Sequence, residues 1–418
     1  MKNFVKTMLL LSFLGGLLSG CSGAQQPAVV TFAVFGEPAE LAAYESLVAT
    51  FEARHAQIDV QIRHTPSQGE YRRRLATEFS SGQPSNVVLL NYRHMAAFAA
   101  DGGLEALTPF LEKSKTIRES DFYPTAIEAF YYQDQLYCIP QNLSNLVVYY
   151  NKDLFDAAGL AYPSEHWTWD DFVAAGRALT QGDQYGIGVE PSLMRLAPFI
   201  WQNGADLVDN PTNPTRLTLD NPQAREAFQW FVDLQVKERI VPDANLEAAE
   251  ESQARFLNGR LGMYLDSRKV VPALRTITAF DWDVAWLPQR VEAASILHSD
   301  GYCMSAATEN KDAAWAFIEF ANSAAGQEII APSGRTVPSI VKVAESPTFL
   351  VSDFPPAHNQ VYLDAAPYLR VFPVIRTWPG IESAVNAEIE RAFYGNATVD
   401  EAIAAASAAA QPFFDEIK

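Results

Sequence analysis

Between Val29 and Leu90 the hydrophobic period alternates between that of a strand and that of a helix, and this alternation restricts the fold more than any other feature. The β-branched and aromatic run Val29 to Phe35, bounded by Gly36 and Pro38, predicts a strand. Leu41, Tyr44, Leu47, Val48 and Phe51 then recur on one helical face, so residues 38–54 are expected to form an amphipathic helix. Ile58, Val60 and Ile62 alternate as a second strand, a helix follows around Tyr71 to Phe79, and Val87 to Leu90 reads as a third, buried strand. Such a β-α-β-α-β opening builds a parallel sheet covered by helices on both faces.

That unit uses a small part of 418 residues, a length at which one hydrophobic core gives way to two. A break in the pattern marks the division. Tyr137 to Pro140 and Leu146 to Tyr150 are extended, joined by the polar stretch Gln141 to Asn145. A second α/β block follows, with Thr168 and Asp171 as a weak capping box and Asn221-Pro222 starting another helix. Leu261 to Leu265 and Asp281 to Leu287 read as strands, and Ile296 to Ser305 as extended. A helix over 311–321 and a mostly helical tail, capped by Thr398 and Glu401, close the chain.

The N-terminus reads as an address. Lys2 and Lys6 precede an apolar run from Met8 to Leu18, about half the ~20 residues a spanning helix needs, so residues 1–20 are expected to be a signal peptide. Leu18-Ser19-Gly20-Cys21 resembles a bacterial lipobox, in which small residues precede a thiol that takes diacylglycerol. Cys21 is thus the expected lipidation site and 21–27 a lipidated tether; an ordinary signal peptide with an incidental cysteine is the alternative. Cleavage there moves the formal charge from −19 to −21, which excludes nucleic acid or an anionic membrane surface as a partner of the whole protein. Contact with the membrane is expected through the anchor only.

Catalytic signatures are missing from the sequence: there is no G-x-S-x-G, H-E-x-x-H, P-loop or G-x-G-x-x-G. The six histidines have no paired spacing and the three cysteines no C-x-x-C, so neither a metal nor a cofactor is expected. Asp281 and Asp283 flank Trp282 at strand spacing, which suits either a glycosidase pair or a solvated strand end. Aromatic residues are abundant, with 8 Trp, 16 Tyr and 25 Phe. Sugar C–H faces stack on such rings, although core packing accounts for most of them.

The segment Leu146 to Phe155 (LVVYYNKDLF) with Ala158-Gly159-Leu160 resembles a hallmark of the family 1 extracellular solute-binding proteins, the carbohydrate-type receptors of ABC importers. The match continues in order through Thr168 to Phe172, Pro198 to Gly204, Phe280 to Val284, Asn310 to Trp315 and Gly334 to Pro338. The resemblance implies a two-lobed α/β periplasmic-binding-protein clamshell, each lobe a Rossmann-like sheet flanked by helices. Lobe one would hold 28–141 and 300–345; lobe two would hold 142–299 and 346–418. Crossings are expected near Pro140 to Asn145, near His298 to Gly301, and after Val337. The implied protein is not an enzyme but an exported monomer facing the periplasm or cell exterior, which captures a mono- or oligosaccharide between its lobes and hands it to a membrane permease.

Site candidates are polar or aromatic residues at strand ends and crossings, where open sheets bind ligands. In lobe one these are Glu37, which also suits a helix N-terminus, with Tyr92, Arg93 and Arg335. On the crossings they are Asn142, Ser144, Asn145 and Asp300. In lobe two they are Trp201, Asn203, Asp266, Arg268 and Trp378, the two tryptophans being either stacking platforms or packing residues. Cys138 and Cys303 flank the proposed crossings and form either a disulfide or two buried thiols. Arg93, Arg268, Arg335 and Arg376 leave open an anionic ligand such as a polyol phosphate. A glycosidase and an adhesive surface lipoprotein are the remaining readings.

Overall fold

A computed structural model describes residues 27–351 and 353–417. The signal segment, Cys21 and the tether up to Gln26 lie outside these residues. The chain opens with β1 (Ala28–Phe35), α1 (Pro38–Glu52), β2 (Ile58–Thr65), α2 (Gln68–Ser80), β3 (Val87–Asn91) and α3 (Tyr92–Ala100). β1 lies between β2 and β3 and is parallel to both, with Ala28 opposite Ile58 and Phe32 opposite Val87. Phe32, Leu47, Phe51 and Val87 are completely buried, so this sheet and its helices share one core.

The chain leaves that sheet through β4 (Cys138–Pro140) and β5 (Ser144–Asn145) and enters a second one at β6 (Val147–Asn151). There follow α4 (Trp169–Leu179), β7 (Tyr185–Gly188), α5 (Leu193–Gln202), α6 (Pro222–Val236), β8 (Leu261–Asp266) and β9 (Trp282–Ala285). The second sheet runs β9-β6-β8-β7, with β8 antiparallel to β6 and parallel to β7. Thr168 caps α4, its hydroxyl accepting from the Asp171 N–H at 3.2 Å while the Asp171 carboxylate accepts from Thr168 in return. Asn221 caps α6 ahead of Pro222 in its first turn.

β10 (Ser295–His298) and β11 (Asp300–Met304) bring the chain back, followed by α7 (Lys311–Ala321), β12 (Leu369–Arg370), α8 (Trp378–Phe393) and α9 (Val399–Asp415). β11 inserts between β3 and β4 and is antiparallel to both, because it enters the first sheet from the end at which β3 leaves it. The first sheet is therefore mixed rather than all-parallel. Cys303 falls opposite Cys138, and the two are joined by an S–S bond of 1.95 Å across 165 residues. Gly301, opposite Pro140, admits no side chain: a Cβ there would lie 2.9 Å from that of Cys138 and 2.8 Å from the Phe130 ring. α8 and α9 pack on α6, returning the tail to the second lobe, while the start of α8 also reaches α3.

The connecting segments are themselves hydrogen bonded. β5, β10 and β12 form a small sheet between the lobes, with His298 opposite Ser144. Leu143 donates to the Val337 carbonyl at 2.8 Å, and the Ser339 hydroxyl donates to the Pro140 carbonyl at 2.5 Å. Three passages of the chain are thereby tied together at one place. Among the described residues no helix is long and apolar enough to cross a membrane.

Candidate functional site

A polar cavity of about 240 Å³ lies where the two sheets face each other above these connections. The first lobe contributes Gln68 and Arg72 from the start of α2, Asn91 and Arg93 from the β3–α3 junction, and Asp300 and Arg335. The connections contribute Asn142, Ser144 and His298. The second lobe contributes Ser192 and Arg195 at the start of α5, Ser267 and Lys269 after β8, and Glu382 and Asn386 from α8. Strand ends and helix starts converge here, the usual place for a ligand in an open α/β sheet.

Arg93, Arg195, Lys269 and Arg335 of this lining each meet a carboxylate. Arg335 pairs with the buried Glu40, whose other oxygen accepts from the Glu37 N–H at 3.0 Å. Arg93 pairs with Glu382 across the gap between the lobes, and its Nε donates to Asn91 Oδ1 at 2.9 Å. Asn91 in turn donates to Asp300 at 3.0 Å. Arg195 stands 2.9 Å from Asp266 and 3.9 Å from Glu190, and Lys269 lies 3.7 Å from Asp266. Burial alone works to raise the Asp266 carboxyl, but Arg195, then Lys269 and the Ser267 N–H, hold it well below the usual carboxylate range. Burial, reinforced by Arg195 and Arg93, pushes His298 well below its ordinary value, so its ring is neutral.

Four polar atoms around the cavity are buried without a protein partner: Ser192 Oγ, Arg195 Nε, His298 Nε2 and Glu382 Oε2. Unpaired buried donors and acceptors cost ~1–3 kcal/mol each, a cost that a hydroxylated ligand removes. Two further spaces adjoin. A groove of about 760 Å³ runs outward along the second lobe past Tyr264, Asp266, Glu390 and Tyr394. A smaller one of about 260 Å³ lies beneath α2 and α3, walled by Phe35, Tyr71, Leu89 and Phe98. In its wall burial lowers His94 to about 3, helped by Arg93 and Arg72.

The expected site residues divide between this cavity and the core. Arg93, Asn142, Ser144, Asp300 and Arg335 line the cavity, and Asp266 lines the groove. Glu37 is exposed at the N-cap of α1, in its helix-capping place. Tyr92 is fully buried and its hydroxyl accepts from the Phe372 N–H at 3.2 Å, because it sits one residue, about 100° around the helix, from the cleft-facing Arg93. Asn145 is turned away, donating to the Tyr362 carbonyl at 2.9 Å. Arg268 is buried between the rings of Phe349 and Tyr362 and donates to Asn359 at 2.7 Å. Its neighbours Ser267 and Lys269 face the cavity instead.

Trp201 and Trp378 are corrected to packing residues. Trp201 lies on the wholly buried α5 with its ring 6.1 Å from that of Phe372. Trp378 is not in a loop: Pro379 fits the first turn of α8, so the helix begins at Trp378 and points the ring inward, 5.0 Å from Phe372. Asn203 ends α5 and donates to the Gln223 carbonyl at 2.8 Å. Arg376 is at the surface, bound to Glu416 at 2.8 Å. Asp283, the inner half of the carboxylate pair, is buried and accepts from His358 Nδ1 at 2.7 Å. Arg195, Ser192, His298 and Glu382 were not anticipated. A lone arginine in the apolar run Leu193 to Gln202 was the available signal for the first.

Known proteins resemble this chain in sequence and in fold. The profile of a family described as bacterial extracellular solute-binding protein matches residues 36–328. A mannitol-binding protein of Pseudomonas aeruginosa is 25% identical over 342 residues, covering 78% of this chain and 74% of the relative. An sn-glycerol-3-phosphate-binding periplasmic protein of Salmonella paratyphi A is 26% identical over 234 residues, covering 53% of this chain and 52% of its own. Among solved structures, an ABC substrate-binding protein of Listeria monocytogenes in complex with cycloalternan superposes with a TM-score of 0.86 at 24% identity, over 94% of this chain and 99% of that one.

Proposed function

The chain belongs to the bacterial extracellular solute-binding protein family, and we propose that its solute is a neutral sugar or polyol, held between the lobes and released to an ABC permease. The observation that carries this reading is the matched charge of the cavity. Arg93, Arg195 and Arg335 each already hold a carboxylate, so an anion would compete with Glu382, Asp266 and Glu40 for them. A polyhydroxyl compound donates and accepts at once, and meets Ser192, Arg195, His298 and Glu382 with partners they lack.

The ligand favours the closed arrangement because it touches both lobes, and its affinity depends on that difference between states. We place the lobe boundaries at 141/142, 299/300 and 345/346, a reading that the hydrogen-bonded connections support. Cys21 is the proposed lipid attachment site after removal of residues 1–20, holding the receptor beside its permease. Arg72, exposed and without an acidic partner among the described residues, favours as a second reading a phosphorylated polyol.

Thermal unfolding of the purified protein against a panel of sugars, polyols and glycerol phosphates tests the choice. At ligand ~100 times Kd, stabilisation of ~2.7 kcal/mol is expected from a neutral sugar or polyol. Stabilisation by glycerol phosphates with none from any sugar or neutral polyol overturns it.

A further inference from the structure

We propose that the outer groove of the second lobe binds a protonated nitrogen, so that the solute is an amino sugar or an oligosaccharide with an amine-bearing residue. This rests on the sugar reading above and narrows it. The groove, about 760 Å³, joins the inner cavity through Glu190, Ser192, Lys269 and Asn386, so one ligand can occupy both.

The charges of the two spaces differ. Apart from Arg72, the inner cavity pairs its cations with carboxylates, whereas Glu190, Glu247, Glu251, Asp266 and Glu390 line the groove against Lys269 alone. Arg195 and Lys269 neutralise Asp266, and Arg195 is 3.9 Å from Glu190. No basic side chain among the described residues comes within ion-pair distance of Glu247, Glu251 or Glu390. Glu247 is fixed in place, accepting from the Ser252 N–H at 2.6 Å and from its hydroxyl at 2.8 Å.

The half-buried Tyr394 also lines the groove, and an ammonium group is attracted to an aromatic ring. Burial, and then the negative field of Glu247, Glu390, Asp243 and Glu190, pushes the Tyr394 hydroxyl up to about 12. An independent observation marks the groove as a binding surface. Ser192 is 7% exposed, lines both spaces, and its Oγ has no partner. A neutral sugar gains nothing from the three unpaired carboxylates Glu247, Glu251 and Glu390; a protonated amine is attracted by them.

Calorimetric titration of the purified protein with a β-1,4-linked glucosamine disaccharide, against cellobiose, which carries hydroxyls in place of the amines, separates the readings. At about pH 6 such amines are protonated. At low salt the amine-bearing disaccharide is expected to bind about tenfold tighter, and the ratio to fall toward one at about 1 M salt, where the screening length is ~3 Å. The ratio is also expected to fall in the double variant Glu251→Gln, Glu390→Gln, both exposed positions. Cellobiose binding as tightly as the amine sinks the inference and leaves the sugar reading standing. An amine preference unchanged in the double variant puts the nitrogen elsewhere and overturns the groove assignment. Failure of both disaccharides, and of every neutral and amine-bearing sugar in a wider panel, overturns both.

Discussion

Asn142 Oδ1 accepts from the Asp300 N–H at 2.8 Å while its Nδ2 donates to the His298 carbonyl at 3.1 Å. One side chain on the outgoing connection thus holds both ends of the step by which the chain returns. Asn142→Leu removes a partner from two backbone groups beneath the cavity, at a cost of about 1–3 kcal/mol each. Urea unfolding reads that loss, and solution scattering of the ligand-free variant is expected to show a wider spread of lobe separations.

The buried pair of Arg195 and Asp266 carries a second prediction. Arg195→Met leaves Asp266 with Lys269, at 3.7 Å, as its one cationic partner among the described residues, and is expected to destabilise the fold by about 3–5 kcal/mol. Asp266 is held below the usual range in the folded protein, so its contribution is complete above the unfolded carboxyl value of about 4 and is lost progressively as pH falls below it. Denaturation at about pH 6 and about pH 3 checks the sign: the stability gap between the unaltered protein and Asp266→Asn should narrow in acid.

The bond between Cys138 and Cys303 restrains a long stretch of unfolded chain. Its removal by Cys138→Ser with Cys303→Ser is expected to cost about 2–5 kcal/mol. Both residues are fully buried, so a mild reductant should leave the native protein intact and act only once it is unfolded. Thiol labelling along a denaturant series measures this; rapid labelling of the native state would contradict it.

Trp201 and Trp378 are expected to matter for stability and not for ligand contact. Trp378→Ala should cost about 3–5 kcal/mol, as for other large core truncations. Trp378→Phe, which keeps an aromatic ring beside Phe372, should recover much of that loss. Ligand affinity measured well below the melting temperature should be unchanged in Trp378→Phe; a large loss would return the residue to the binding surface.

The fold was legible from Val29 to Leu90 because burial on one face imposes periods that name their own elements, and the caps at Thr168 and Thr398 were equally readable. The connections were legible at Asn142 and Ser144 because polar residues between apolar strands need partners. Direction on a helix was not. Tyr92 and Arg93 are adjacent, and only the hydrogen bond from the Phe372 N–H to the Tyr92 hydroxyl shows which of the two turns from the cavity. Arg268 was placed in the cleft on its charge, yet aromatic rings and Asn359 accept it in the core while Lys269 takes the exposed place. Arg195 stayed hidden in an otherwise apolar helix, because its carboxylate partner lies 71 positions along the chain, at 266.

The bond between Cys138 and Cys303 in the first lobe has a mechanical consequence. A force applied between Ala28 and the C-terminus travels through Cys138 directly to Cys303, bypassing everything between them. About 580 Å of contour length, at ~3.5 Å for each of the 165 residues spanned, is withheld from extension. The part of the second lobe enclosed between the two cysteines is shielded from tension on the polypeptide, while α8 and α9, outside that loop, are not.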